Sequence, residues 1–335
     1  MKKLFKDKRV LFITTKNLDY IRNTQEIEIV KSNAQSYSVI GSDSKSYIKR
    51  IIYVYWKLLI TKCKKYDVIF IGFSPQLISP FWQWKFKKSK VVIDFFISVY
   101  DTLVFDRRKF KETSIISKML KKLDIKTIKS ADKVISDTKA HGKYFIDEFG
   151  LDESKLKVLY LEANKQIYTP MNIEKPLELK DKFIVLYFGS ILPLQGIDVV
   201  LEAADILKMN KKIHFIIIGP IQDKYNKVIS DTITYIDWLS QEQLAKHIAF
   251  ADLCLAGHFN KDINKAKRTI PGKAYIYEAM NKAMILGDNE ATHELYSEND
   301  EQIYFVKMGD AQILADKISE LGGKFCEVNN SNSML

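Results

Sequence analysis

Long hydrophobic runs, cysteine and metal-binding histidine motifs are all scarce in this sequence of 335 residues. Apolar runs such as Ile51 to Trp56 are far shorter than the ~20 residues that a membrane-spanning helix needs. The three cysteines, Cys63, Cys254 and Cys326, are widely separated and odd in number, which fits neither a disulfide framework nor a zinc site. The five histidines show no metal-ligand spacing. We therefore expect a protein of a reducing compartment with no spanning helix, no disulfide and no metal.

Positive charge is abundant and unevenly distributed along the chain. Residues 1–180 hold 36 lysines and arginines against 20 acidic residues, a net +16, whereas residues 181–335 hold 16 against 21, a net −5. A basic half of this kind suits an anionic membrane surface. The alternative is a lysine-rich surface with no partner. Nucleic acid is the least favoured partner, because the basic residues are scattered and no recognition motif accompanies them.

Two segments of the basic half combine aromatic residues with lysine. They are Tyr47 to Lys65 and Phe81 to Lys88. Trp and Tyr beside Lys is the composition of an interfacial membrane anchor. Aromatic residues at helical spacing are also common in protein cores, so the sequence leaves both interpretations open.

Short apolar runs bounded by polar turns alternate with helical patterns over the whole chain. In the first half the runs predict strands at Val10–Thr14, Tyr37–Ile40, Val68–Gly72, Val91–Phe95 and Lys133–Ser136. A second series predicts strands at Phe183–Phe188, His214–Ile218, Thr234–Ile236, Leu253–Ala256, Met284–Leu286 and Ile303–Val306. Alternating strands and helices indicate parallel sheets covered by helices, hence two Rossmann-like α/β domains. We assign residues 1–170 and 171–325 to these domains and residues 326–335 to a flexible tail.

Two constellations in the second half are suited to anions. Gly189-Ser190 follows a predicted strand and leads through Gly196 into a helix, whose N-terminal N–H groups attract a phosphate. The second constellation, residues 265–273, places Lys265, Arg268 and Lys273 around a Pro-Gly turn, and Glu278 follows on a helix. Cations can neutralise a diphosphate and a carboxylate can accept hydrogen bonds from ribose hydroxyls.

Residues 183–296 resemble the nucleotide-binding lobe of retaining glycosyltransferases of the GT-B fold, in the family 4 group that includes capsule and lipopolysaccharide enzymes. The resemblance rests on these motifs, in the order in which they occur: Phe188-Gly189-Ser190, Gly196-Ile197-Asp198, Glu202-Ala203-Ala204, Ile218-Gly219-Pro220, Ala251-Asp252-Leu253 and Glu278-Ala279-Met280. It implies two Rossmann-like domains with a cleft between them. It also implies a nucleotide-diphosphate sugar as donor substrate, bound partly at Gly219, with no metal and no further cofactor.

The sequence departs from that family at three places. Ser190 and Gln195 stand where many members carry cations that contact the diphosphate, and Ile270 stands where the first of two glutamates would be. We therefore expect Lys265, Arg268 and Lys273 to supply the missing positive charge. Arg268 and Lys273 would also stabilise the leaving group.

Two carboxylates of the first half, Asp94 and Asp101, follow a predicted buried strand. Either side chain could hydrogen-bond the donor sugar or an acceptor hydroxyl, and we take both as candidate catalytic residues. Helix capping or pairing with Arg107 or Arg108 would explain them equally well. Asp137-Thr138 with His141 is a weaker candidate of the same kind.

The combined expectation is a cytoplasmic enzyme at the inner face of the cell membrane. It would transfer a sugar, with retention, from a nucleotide-diphosphate donor such as a UDP-sugar to a glycan or polyprenol-linked acceptor in surface polysaccharide synthesis. Two alternatives remain: a catalytically silent scaffold for a partner glycosyltransferase, and a nucleotide-sugar epimerase or hydrolase. A homo- or hetero-oligomer is compatible with all three.

Overall fold

The computed structural model describes residues 1–222 and 225–332, and the chain divides between Glu162 and Ala163 into two compact units. The boundary predicted from the sequence lies eight residues later, after residue 170. Each unit contains one six-stranded sheet, and every strand pair in both sheets is parallel. The α/β class with two Rossmann-like domains is thus confirmed.

The first unit has the strand order β2-β1-β3-β4-β5-β6. Its strands are β1 (Arg9–Ile13), β2 (Ser36–Ile40), β3 (Val68–Ile71), β4 (Lys90–Asp94), β5 (Lys133–Ser136) and β6 (Leu156–Val158). Its helices are α1 (Lys2–Phe5), α2 (Ile21–Asn33), α3 (Tyr47–Ile60), α4 (Ser79–Phe86), α5 (Ile115–Lys129) and α6 (Lys139–Phe149). Apolar clusters on both faces of the sheet hold the unit together. β6 escapes sequence analysis because it is only three residues long and no residue of it is fully buried.

The second unit has the strand order β12-β11-β10-β7-β8-β9. Its strands are β7 (Phe183–Phe188), β8 (Ile213–Ile218), β9 (Ile233–Ile236), β10 (Leu253–Gly257), β11 (Met284–Gly287) and β12 (Ile303–Val306). Its helices are α7 (Ile197–Leu207), α8 (Gln241–Phe250), α9 (Asn264–Arg268), α10 (Gly272–Ala279) and α11 (Ala311–Asn332). β8 and β10 are buried along their whole length, as expected for strands covered on both faces.

The last helix, α11, packs on α7 and continues to Asn332. It therefore runs through most of the segment 326–335, whose composition favours a flexible tail. Once a helix has formed, each added residue gains one hydrogen bond, so a polar composition does not by itself end it. Residues 333–335 of that segment lie outside the described residues. Within the part of the chain that the structure describes, no helix is both long and apolar enough to span a bilayer.

Candidate functional site

The carboxyl ends of β7, β8, β10 and β11 lie side by side at one edge of the second sheet, where open α/β sheets bind ligands. Gly189 follows β7 and Gly219 follows β8, and the two backbones approach so closely that a methyl group at Gly219 would clash with the Gly189 carbonyl oxygen. Gly219 also has φ 141°, a conformation that essentially only glycine adopts. These glycines therefore allow the backbones after β7 and β8 to pack directly against each other at the strand ends.

Gly196 turns the chain from the β7 loop into α7. Its φ of 69° is left-handed, and a methyl group there would lie 2.6 Å from the Asn260 nitrogen. The close approach brings the loop after β10 against the start of α7. The first turn of α7 carries backbone N–H groups without intrahelical partners and the positive end of the helix dipole. An anion at this edge of the sheet would therefore be stabilised.

The β7 loop contains a strained residue. Ile191 is buried and has φ 56°, which is rare for a β-branched side chain. Such outliers cost about 1–3 kcal/mol each and cluster at functional sites. The strain at Ile191 supports a functional role for the loop from Gly189 to Gly196.

Gly219→Ala is expected to destabilise the second unit by about 1–3 kcal/mol from backbone strain alone, because alanine disfavours this φ. The clash with the Gly189 carbonyl adds to that loss. Gly323→Ala is the matched control, because a methyl group there meets no atom within 4 Å and alanine favours a helix. The measurement is the free energy of unfolding in urea. Equal effects of the two substitutions would contradict the close-approach interpretation.

The basic segment predicted from sequence begins with a short helix, α9. Ala266 of α9 is buried in a small apolar cluster with Leu194, from the turn that precedes Gly196. Lys265 and Arg268 flank Ala266 and are both half-buried. The structure thus brings these two predicted cations to the turn that leads into α7.

Lys273 lies elsewhere in the same unit, under the end of β7. Its Nζ is 3.6 Å from the centroid of the Tyr187 ring, and it makes no hydrogen bond to any described residue. Burial holds the pKa of Lys273 well below its ordinary value of 10.5. The Tyr187 hydroxyl donates a hydrogen bond to Gln195 Oε1 at 3.2 Å. Lys273 therefore contacts the predicted site through Tyr187 and Gln195, as a buried amine and not as an open surface cation.

Ser190 and Glu278 are both exposed. Ser190 directly follows Gly189, so its backbone belongs to the glycine turn. Glu278 accepts a hydrogen bond from the Tyr296 hydroxyl at 3.1 Å. Burial and the neighbouring Glu278 charge raise the pKa of Tyr296, so the tyrosine stays protonated and can keep Glu278 in one orientation.

The carboxyl ends of the strands in the first sheet carry a buried charged cluster. Asp94, the last residue of β4, accepts two hydrogen bonds from the Arg22 guanidinium, at 3.0 and 2.9 Å. Arg22 also donates to the Leu159 carbonyl. Both side chains of the pair are buried. Both Asp94 oxygens therefore accept hydrogen bonds from Arg22, which favours a positioning role for Asp94 over direct proton transfer.

Glu26 is the third member of this cluster. Its Oε1 lies 3.7 Å from Arg22 Nε, and its two oxygens make no hydrogen bond to described residues. Burial, followed by the Asp94 charge, raises the pKa of Glu26 well above its ordinary value of 4.5. Glu26 therefore holds its proton to a higher pH than an ordinary glutamate, in a cluster with one cation and one anion.

Two further candidates lie near these strand ends. Asp101 is buried at the start of a π-helical turn, Asp101–Asp106, and its backbone N–H donates to Ser98 Oγ at 2.9 Å. His141 Nδ1 is 2.7 Å from Asp137 Oδ1 after β5. No three metal-ligating side chains within residues 1–222 and 225–332 form a group that could hold a metal ion.

Arg22 and Glu26 were missed by sequence reasoning. The available signal was on α2, whose buried side contains Arg22, Asn23, Gln25 and Glu26 where an ordinary amphipathic helix would have apolar residues. A polar cluster on the side that must face a sheet indicates a buried network.

Comparison with known proteins adds independent information. Residues 182–323 match the family model described as "Glycosyl transferases group 1". This match covers most of the second unit and less than half of the chain. A protein of Klebsiella pneumoniae, described as an uncharacterised 41.2 kDa protein in the cps region, is 22% identical over 203 residues. That alignment covers 58% of this chain, and the chain spans about half, 54%, of the length of this curated relative.

Solved structures resemble the whole chain. Anabaena HepE in complex with UDP has a TM-score of 0.64 at 13% identity, covering 93% of this chain and 89% of that one. Sucrose-phosphate synthase from Thermosynechococcus elongatus has a TM-score of 0.65 at 13% identity, covering 94% and 89%. At this identity the likeness establishes the fold, and the fold is GT-B.

Proposed function

Starting from a GT-B fold whose second unit matches the glycosyl transferases group 1 model, we propose that the chain is a glycosyltransferase that uses a nucleotide-diphosphate sugar. The single observation that carries the proposal is the glycine-lined edge of the second sheet, within the matched segment. The glycine turns let the strand ends and the start of α7 pack closely, and the N–H groups of the first turn of α7 suit a diphosphate. The structural likeness to HepE, which was crystallised in complex with UDP, supports UDP as the nucleotide.

The cations of α9 complete the proposed donor site. Lys265 and Arg268 would face the diphosphate from the side of the Leu194 turn and replace the cations absent at Ser190 and Gln195. Their charge would be most valuable in the transition state, when negative charge builds on the departing phosphate. Glu278, oriented by Tyr296, would accept hydrogen bonds from ribose hydroxyls.

The transfer itself breaks the bond between the sugar anomeric carbon and the phosphate oxygen and forms one to an acceptor oxygen. The acceptor proton would pass to the departing phosphate oxygen, with retention of configuration. Neither step uses a metal. Arg22 and Asp94 would shape the acceptor edge of the first sheet, and Asp101 remains a candidate for contact with a hydroxyl.

We further propose a glycan or polyprenol-linked acceptor in surface polysaccharide synthesis, in the cytoplasm at the inner face of the membrane. The weak similarity to a cps-region protein supports the polysaccharide role. Cys63 and Cys254 are free and buried, which is compatible with a reducing compartment.

A thermal-shift panel of UDP, GDP, TDP and CMP tests the donor site, because a ligand that binds only the folded state raises the melting temperature. We expect UDP to raise it. In the double variant Lys265→Ala/Arg268→Ala, UDP affinity should fall by at least about 100-fold, since two charge-assisted hydrogen bonds are lost and each contributes about 1.5–3 kcal/mol. Lys267→Ala is the matched control, because Lys267 is an exposed residue of the same helix.

The alternatives give different results in the same preparation. A silent scaffold would show no shift with any nucleotide, and this outcome would overturn the proposal. A hydrolase would release UDP from a UDP-sugar without an acceptor, and an epimerase would change the sugar without releasing UDP. Release that depends on an acceptor supports the transferase.

A further inference from the structure

The solvent-facing side of α3 is apolar. Ile48, Ile52, Trp56 and Leu59 are 69%, 63%, 51% and 62% exposed. Their spacing of four, four and three residues places them in one stripe along the helix. The opposite side of α3 is buried through Arg50, Val54 and Leu58. The helix therefore has apolar surface on both sides, although only one side is needed for packing.

The exposed side of α4 continues this surface. Phe81 and Trp84 are 55% and 60% exposed. A groove between the end of α3 and the end of α4 is lined by Leu59, Ile60 and Trp84. We define the apolar face as Ile48, Ile52, Trp56, Leu59, Ile60, Phe81 and Trp84. The sequence left these aromatic segments open between core and surface, and the structure divides them: Trp82 and Phe86 are buried, whereas Trp56 and Trp84 are exposed.

The apolar face is held on a fixed support. The Tyr55 ring contacts the Trp82 ring edge-on at a centroid distance of 5.4 Å, which joins α3 to α4. Trp82 in turn stacks on Trp84 at 6.1 Å. Lys85 Nζ donates to the Leu59 carbonyl at 2.6 Å. The two helices thus present the apolar face as a single surface.

Positive charge surrounds the apolar face. Residues 45–90 contain eleven lysines and arginines and a single acidic residue, Asp67. Asp67 is paired with Arg9 at 2.8 Å. Lysines line the groove beside Trp84, namely Lys62, Lys64, Lys87 and Lys88. The surroundings of the apolar face therefore carry almost no negative charge of their own.

We propose that the apolar face docks the first unit on an anionic lipid bilayer. Apolar side chains would enter the boundary between headgroups and acyl chains, and the surrounding lysines would contact lipid phosphates. Charge complementarity decides against a second copy of this chain, because pairing two such faces would bring their lysines together.

The apolar face is also connected to the end of the first sheet that carries the Arg22–Asp94 pair. Arg50 of α3 donates through Nε to the Thr15 carbonyl at 3.1 Å, in the loop after β1. That loop leads to α2, which carries Arg22 and Glu26. A lipid-linked acceptor would then meet the protein close to this end of the sheet, an extension that rests on the proposed function. Docking on the bilayer does not depend on it.

The test is co-sedimentation of the full chain with vesicles of phosphatidylcholine alone or mixed equally with phosphatidylglycerol, at low salt. We expect binding to the anionic vesicles only, weakened at least tenfold by Ile52→Glu/Trp56→Glu and also by Lys62→Glu/Lys64→Glu. Ile229→Glu is the matched control, because Ile229 is 96% exposed in the second unit. All variants should keep the melting temperature of the parent chain and its response to UDP.

Three results would overturn the docking proposal. They are failure of the parent chain to bind anionic vesicles, equal loss in the Ile229→Glu control, and a change from dimer to monomer in Ile52→Glu/Trp56→Glu with vesicle binding intact. The last result would assign the apolar face to a contact between copies. Because the UDP response is recorded separately, failure of docking and failure of the proposed donor site can be told apart.

Discussion

Lys273→Met is expected to raise the free energy of unfolding by about 1–3 kcal/mol in the absence of nucleotide. Lys273 Nζ is buried against the Tyr187 ring and has no hydrogen-bond partner among the described residues. Burying a polar group in that way costs about 1–3 kcal/mol by mutational measurements. Methionine has a similar length and no such cost. Urea unfolding at pH 7 measures the difference, and Lys212→Met, at an exposed lysine of the same unit, should change little.

The same substitution should alter how stability depends on pH. Burial lowers the pKa of Lys273 in the folded protein, whereas in the unfolded chain it keeps its ordinary value of 10.5. Between those two values the unfolded chain binds one more proton, so the stability of the parent protein rises with pH. The advantage of Lys273→Met should therefore shrink between pH 7 and pH 10. A pH-independent advantage would contradict the lowered pKa.

Nucleotide binding distinguishes two roles for Lys273. If the amine supplies charge to the diphosphate, Lys273→Met should be more stable and yet lose the UDP-induced shift. If Lys273 only supports Tyr187, the shift should persist, because methionine also packs against an aromatic ring. Loss of the shift in Lys265→Ala/Arg268→Ala but not in Lys273→Met would assign the donor charge to α9.

Arg22→Met should destabilise the first unit by about 3–5 kcal/mol, because it leaves the buried Asp94 carboxylate without its cation. Arg9→Met is the matched control. Arg9 makes the same bidentate contact with Asp67. Both of these side chains are substantially exposed, so only a small loss in the free energy of unfolding is expected. Urea unfolding of both variants provides the comparison. A loss in Arg22→Met no greater than in Arg9→Met would show that the Arg22–Asp94 pair does not depend on burial.

Glu26→Gln tests the other half of the cluster. Burial and the Asp94 charge raise the pKa of Glu26 in the folded protein, whereas the unfolded chain releases this proton near pH 4.5. Above that pH the folded state binds one more proton than the unfolded state, so the stability of the parent protein falls as pH rises. Glutamine cannot ionise. The variant should therefore match the parent near pH 4 and become the more stable of the two towards pH 8.

The two sheets place different chemistry at equivalent edges. In the second unit, the first turn of α7 offers backbone N–H groups beside the glycine turns, and α9 adds cations. In the first unit, the same end of the sheet is filled by the Arg22–Asp94 pair and by Glu26, whose pKa is raised. Backbone N–H groups and cations suit a diphosphate, whereas buried polar side chains with fixed partners suit the placement of hydroxyl groups. This division agrees with donor and acceptor roles for the two units.

The sequence alone was sufficient for the fold and for the positions of the glycines at the strand ends. Short apolar runs predicted all the strands that the structure describes except β6, each to within one residue at either end. Central strands such as β8 and β10 gave the clearest signal, because they are buried along their whole length and must be apolar throughout. Gly189, Gly196 and Gly219 were recognisable because each follows or precedes a regular element where only a small residue fits.

Only the tertiary structure determined which side chains are buried together. Arg22 and Asp94 are 72 positions apart, and Lys273 and Tyr187 are likewise distant in sequence, so no local pattern could pair them. The same limit applies to α3, where both sides are apolar and helical periodicity cannot tell which side packs on the sheet. Burial depends on contacts between remote segments, and these contacts made Lys273 a buried amine and left Trp56 exposed to solvent.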